Sequence, residues 1–246
     1  MADQPRFEEK AISEFVKNAL SGQLDGFMKV AVAVRTDLMK LLQGEVDSVS
    51  FKAENLVRED IQVQELEVQT DHISINPLSA ILGKIRLDEP LDTTIRMVLS
   101  EADLNRDMNS DIAISQLKPI DLDVEGQTIP IEFLPPFRVR LSRDNKIRFT
   151  GIMKVHESGN TRQVAFTAVA SPRTDTQPIL LETFCCAPNQ GSSLPFMIAF
   201  LNKLQEIVSQ PYFELDTIAV RVASLAIQNK LLTAQIEIHA RQIPSM

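Results

Sequence analysis

A chain of 246 residues, 44% hydrophobic and 24% charged, has the composition of a globular protein with a substantial core, and no run in it approaches the length of a membrane-spanning helix. The net charge of -8 opposes nucleic acid, whose binding rests on phosphate neutralisation, and opposes non-specific adsorption to anionic membranes. The two cysteines are adjacent, Cys185 and Cys186, which is no disulfide framework, and a chain with no tryptophan and one tyrosine lacks the material for an aromatic interfacial belt.

The first residues, MADQPRFEEK, are polar and lack the apolar stretch of a secretory signal, so the expected location is the cytoplasm, with peripheral attachment to a membrane. Residues 5–22 read as a helix with Ile12, Phe15, Val16, Ala19 and Leu20 on one side and Gly22 as its stop. Phe27, Val30, Ala31 and Val34 fit a helix, but the alternation of Met28, Val30, Val32 and Val34 and the density of valine favour a strand. Thr36-Asp37 opens a short helix, Leu38 to Leu42, closed by Gly44. Val49, Phe51 and Ala53 then alternate as a strand. After a turn near Arg58–Asp60, Ile61 and Val63 have one parity and Leu66 and Val68 the other, which predicts a β-bulge at Gln64–Glu65.

Asp71-His72 reads as a turn into a short strand at Ile73 and Ile75. A helical turn closed by Gly83 and a turn at Asp88-Glu89-Pro90 follow. Residues 32–46 and 73–85 share a layout of strand, helical turn, glycine and return strand, a weak internal echo. Ile95, Met97 and Leu99 alternate as a strand that switches to helix at Ser100, where Asp103 completes a capping box. Beyond Pro119 the pattern is β: Leu122 and Val124, a turn at Glu125-Gly126, then Ile129 to Phe133, ended by Pro135-Pro136. A hairpin of 137–141 and 147–155 turns at Asp144-Asn145, and strands at Val164–Ala170 and Ile179–Ala187 follow. The clearest helix is 193–209, with Ser193 as cap, Pro195 in the first turn, and Leu194, Met197, Ile198, Leu201, Leu204 and Val208 as its apolar line. Phe213 to Ile227 and Leu231 to Ala240 close the chain as a hairpin turning at Asn229-Lys230. No linker divides these elements, so the expectation is one α+β domain, 1–246: a long, strongly curved antiparallel sheet wrapped around one or two long apolar helices.

Catalytic chemistry is not evident. His72, His156 and His239 are far apart, with no helical metal-ligand spacing and no His-x-x-Cys cluster. The chain has eight glycines, no phosphate-cradling loop and no Gly-x-Ser-x-Gly elbow. Glu101 and Asp103 sit in the first turn of a helix, where capping and the helix dipole explain them better than acid–base work. Cys185 and Cys186 alternate across a strand and read as thiols. The expectation is therefore no catalytic residue, no metal and no cofactor. One charge cluster remains: Arg138, Arg140, Arg143, Lys146 and Arg148 fall on the single hairpin 137–149, with only Asp144 opposing them. It reads as a solvated face that protects a sheet edge, or as a landing patch for anionic headgroups.

The segment Val46 to Asn105 resembles the LmeA-like phospholipid-binding family of bacteria. The resemblance rests on an order of features: Leu42-Gln43-Gly44, strand Val49–Ala53, Ile73-Ser74-Ile75-Asn76, Leu82-Gly83-Lys84, Leu87-Asp88-Glu89-Pro90 and Ser100-Glu101-Ala102-Asp103-Leu104-Asn105. The closing hairpin, with Leu225-Ala226-Ile227 and Leu231, is also similar, and the likeness is weakest in 121–176 and around 193–209. It implies similarity to tubular lipid-binding proteins, in which a curved sheet wraps a long helix and leaves an apolar groove. It implies a non-enzymatic role in binding and transferring phospholipid or glycolipid, with lipid and a transient membrane surface as partners. The groove residues expected on that basis are Leu194, Met197, Ile198, Leu201, Leu204, Val208, Phe133 and Phe149, and the headgroup patch is the basic hairpin. A scaffolding module using a sheet edge or that hairpin is the alternative, and a lipid-acting enzyme a third reading without a visible nucleophile or metal.

Overall fold

The computed structural model describes residues 9–14, 17, 26–58, 60–77, 86–157, 159–186, 193–210, 212–215 and 217–242. It is α+β, with mostly antiparallel strands, a strongly curled half-barrel sheet and only short helices. The chain divides into two compact units: Met1–Val98, Pro211–Ala223 and Ala234–Met246 form the first, Leu99–Gln210 and Ser224–Thr233 the second.

One sheet has seven strands. These are β1 Lys29–Arg35, β2 Glu45–Arg58, β3 Ile61–Ser74, β4 Leu91–Ser100, β10 Phe213–Leu215, β11 Ile218–Gln228 and β12 Leu231–Ala240, in the order β1-β2-β3-β4-β12-β11-β10. A short helix, α1 Leu38–Gln43, joins β1 to β2. Asp37 caps it by accepting from the Lys40 N–H, and Gly44 ends it in the left-handed region at φ 83°. A Cβ at Gly44 would stand 2.0 Å from the Ile75 carbonyl oxygen, so this turn admits glycine for space as well as for conformation. Only residues 9–14 and 17 of the expected N-terminal helix are described, and they are helical. The helical turn expected before Gly83, and with it the second copy of the internal echo, lies outside the described residues.

Two expectations about β2 and β3 are corrected. Their register runs at one offset from Glu45↔Ser74 to Arg58↔Ile61, with no bulge at Gln64–Glu65. The change of phase is taken by Asn55, at φ 50°, after which Leu56 rejoins Ala53 and Val30 in one buried cluster. The turn expected at Asp71-His72 is also absent: β3 continues to Ser74, and His72 takes the left-handed conformation inside it. The expected strand 213–227 is two strands, β10 and β11, paired as a small hairpin.

The second unit is a five-stranded sheet with helices. Its strands are β5 Ile120–Val124, β6 Gln127–Leu141, β7 Ile147–Glu157, β8 Asn160–Ser171 and β9 Leu180–Cys186, in sequence order. Pro135-Pro136 does not end a strand, as expected, because β6 runs through it. The prolines mark a register shift between Leu134 and Arg138, so the ladder to β7 resumes beyond them. The helices are α2 Glu101–Asp107, α3 Asp111–Ser115 and α4 Leu194–Ser209. At sixteen residues α4 is the longest helix given for the described residues, so the long apolar helices expected from the sequence are not found there.

The capping box at Ser100 is present, with Asp103 returning the bond to the Ser100 N–H. The same segment also clasps a strand. Among the described residues β5 pairs only with Gln127–Ile131, which leaves residues 137–141 of β6 without a described strand on that side. Glu101 accepts from the Leu141 N–H at 2.9 Å, and Asn105 accepts from the Val139 N–H at 2.8 Å and donates to its carbonyl at 2.9 Å. Asn109 does the same for Phe137, at 2.7 and 2.9 Å. Four helical residues rise about 6 Å and two strand residues about 6.7 Å, so the i, i+4, i+8 side chains keep step with alternate strand residues.

Candidate functional site

The apolar face of the second sheet carries Leu122, Ile129, Ile131, Met153, Val155, Val164 and Phe166, all buried. α4 lies on it through Phe196 and Phe200, which are 0% and 1% exposed. Leu194 and Ile198, expected in a groove, are instead 73% and 51% exposed. Met197 and Leu204 pack half-buried against the cluster, as does Phe133, while Leu201 is half-buried and the Val208 side chain lies outside the described residues. Phe149 bridges to a second cluster around Val139, Leu141 and Leu232. The seam under α4 is filled by rings: Phe184 stands 4.9 Å from Phe200, Phe166 5.6 Å from Phe184, and Phe133 5.8 Å from Phe166. Gly151 makes room for this layer, since a Cβ there would sit 3.1 Å from Phe137 and 3.2 Å from Phe166.

In the first unit, register brings a second set of apolar side chains together that no motif in the sequence marked. Val32 faces Phe51, Phe51 faces Val68 and Val68 faces Ile95. In the adjacent row Ala53 faces Leu66 and Leu66 faces Met97. This face bears no charged side chain in those rows, whereas the opposite face bears Lys52, Glu54, Glu65, Glu67 and Arg96. Val32, Phe51, Leu66, Val68, Ile95 and Met97 are each only half-buried. Two concavities of this unit are of another kind. One of about 910 Å³ is lined by Glu9, Lys10, Glu14, Lys17 and Asp37 among others. One of about 580 Å³ is lined by Asp71, Asp92, Tyr212, Glu214, Glu237 and His239 among others. Their charged side chains are costly to bury under a hydrocarbon chain, although Val32 of the apolar row also lines the first of them.

The basic hairpin forms as expected. Val139 and Leu141 are buried, while Arg138 and Arg140 point to the other face. Arg148 on β7 stands directly opposite Arg140, and Arg143 is exposed in the turn. Lys146 leaves the patch: its ammonium donates to Glu182 on β9, a carboxylate that also accepts from Ser171 Oγ. The hydrogen bond to Glu182 raises the Lys146 pKa. The bond from Lys146, followed by that from Ser171, lowers the Glu182 pKa.

The histidines stay apart. His72 meets Glu89, His156 lies between Glu132 and Thr161, and His239 bonds Asp92. Among the described residues no three His, Cys, Asp or Glu side chains are grouped to hold a metal. Cys185 and Cys186 form no disulfide among the described residues, and Cys186 Sγ lies 3.8 Å from Met197 Sδ. No described helix is long and apolar enough to cross a membrane.

The family model for LmeA-like phospholipid-binding proteins matches residues 4–237, nearly the whole chain. The chain belongs to the LmeA-like phospholipid-binding family. No curated protein and no solved structure gives a significant match. The LmeA-like family is one of phospholipid-binding domains, and lipid binding is the function that membership suggests. In this LmeA-like chain the half-buried apolar rows of the first sheet are not among the residues expected from the sequence to line a groove. The signal was there in the alternation of Val30, Val32, Val34 and of Val49, Phe51, Ala53, but strand pairing is needed to assemble it.

Proposed function

We propose that this LmeA-like protein is a non-enzymatic carrier that binds a phospholipid or glycolipid and transfers it between membranes, working from the cytoplasm with transient attachment to the bilayer. The observation that carries the reading is the family match over residues 4–237. In this proposal the acyl chains lie on the apolar rows of the first sheet, over Val32, Phe51, Leu66, Val68, Ile95 and Met97. These side chains are half-exposed and free of charge, whereas the seam under α4 is already filled by Phe196 and Phe200.

The energetics suit a carrier. Burying a methylene stabilises by about 0.8 kcal/mol, so roughly ten of them give about 8 kcal/mol, close to micromolar binding, tight enough to load and loose enough to release. The test is transfer of a fluorescent phospholipid from donor to acceptor liposomes. The purified protein accelerates transfer, and Phe51→Asp or Ile95→Asp, each placing a charge in the apolar rows, slows it to the spontaneous rate while circular dichroism remains native. Transfer by the wild type no faster than in buffer would sink the carrier reading. Unimpaired transfer by both variants would move the site elsewhere.

A further inference from the structure

The outward face of the second sheet carries a cluster that acyl-chain binding does not use. Arg140 and Arg148 occupy directly opposed positions on β6 and β7, Arg138 faces Thr150, and Thr150 faces Thr167 on β8. These five residues line a concavity of about 240 Å³. The neighbouring lysines have carboxylate partners, Lys146 with Glu182 and Lys154 with Glu132, but Arg138, Arg140 and Arg148 form no ion pair among the described residues. Like charges directly opposed across two strands weaken a sheet, so fold stability gives no reason for Arg140 and Arg148 to face each other. An anion between them removes the repulsion and supplies the missing partner.

We infer that Arg138, Arg140, Arg148, Thr150 and Thr167 form a binding site for a phosphomonoester group. Guanidinium forks match phosphate oxygens in pairs, and the Thr167 hydroxyl adds a neutral donor, while the Thr150 hydroxyl donates to the Arg138 carbonyl at 3.5 Å. A phosphomonoester carries about -1.5 to -2 charges at neutral pH and so matches clustered guanidiniums better than a singly charged phosphodiester. In a chain of net charge -8, such a site recognises phosphate locally where the bulk field repels it. That the phosphate belongs to a lipid headgroup rests on the carrier reading, whereas the phosphate chemistry itself does not.

The test uses the full chain, the double variant Arg140→Gln/Arg148→Gln and the control Arg143→Gln/Lys146→Gln. Inorganic phosphate is titrated at constant ionic strength, with the melting temperature and the Thr150 and Thr167 amide resonances as readouts. Flotation then compares phosphatidylcholine vesicles with and without phosphatidic acid. Phosphate stabilises the wild type and the control, and the double variant binds it about tenfold or more weakly, a loss of about 1.4 kcal/mol or more. Without phosphate the double variant melts no lower than the wild type, since it loses a repulsion. Greater flotation of the wild type with phosphatidic acid, lost in the double variant, assigns the site to a headgroup. A phosphate response without that gain assigns it to free phosphate. Equal phosphate responses in wild type and double variant, or an equal loss in the control, overturn the site. Lipid recovered by solvent extraction is read separately, so a missing phosphate response with lipid retained removes this site alone, and a phosphate response with no lipid removes the carrier reading alone.

Discussion

Asn105 and Asn109 do for the edge of β6 what a neighbouring strand would do: each amide satisfies both the N–H and the carbonyl of one residue, Val139 and Phe137 respectively. A side-chain amide has a donor and an acceptor at the right separation for this, and an aspartate in its place lacks the donor. Replacing either asparagine by alanine leaves backbone groups of a half-buried strand without partners, at a cost of about 1–3 kcal/mol. The two costs are not additive, because both residues hold the same strand. Urea denaturation checks this: each single variant loses that amount, and Asn105→Asp recovers only part of it. A loss within ±0.5 kcal/mol, typical of a surface change, would contradict the clasp. The capping half of the segment was legible, because a capping box is local. The clasping half was not, because it depends on which strand edge the helix meets, and Val139 lies 34 residues from Asn105.

At the scale of the element, α4 is the instructive case. Its existence, its Ser193 cap and its extent were readable, and its buried face was not. Leu194 to Leu201 reads LPFMIAFL, apolar on nearly every side, so helical periodicity alone leaves the choice of face open. The sheet decides: its face already presents Phe133, Phe166 and Phe184, and the rings of Phe196 and Phe200 fill the space above them better than branched aliphatic chains do. Phe200→Ala should therefore destabilise by about 3–5 kcal/mol. Ile198→Ala, at an exposed position, should stay within about 0.5 kcal/mol of the wild type. Chemical denaturation of the pair separates the two faces, and the reverse order would restore the face expected from the sequence. The basic hairpin shows the opposite balance. Its strands, turn and outward arginines follow from alternation within one hairpin, but the capture of Lys146 by Glu182, 36 residues away on β9, follows only from the sheet order.

For the molecule as a whole, the order of strand, glycine-closed turn, strand and capped helix was enough to indicate the family, and the family match over 4–237 agrees with it. What that order did not contain is where a lipid sits. An apolar face spread over β1, β2, β3 and β4 is assembled by successive pairings that run from Val32 through Phe51 and Val68 to Ile95, and each strand alone looks like ordinary half-buried sheet. The helix, by contrast, advertised itself in sequence as apolar and is largely committed to packing. In the proposed carrier, lipid is therefore held by the first sheet rather than by the most hydrophobic segment of the chain. The most direct measurement is organic-solvent extraction of the purified protein followed by mass spectrometry. A carrier yields phospholipid or glycolipid in near-stoichiometric amount from the wild type and markedly less from Phe51→Asp, with Ile198→Ala unchanged. Extracts free of lipid, from protein that also takes up none when incubated with liposomes, would contradict the account.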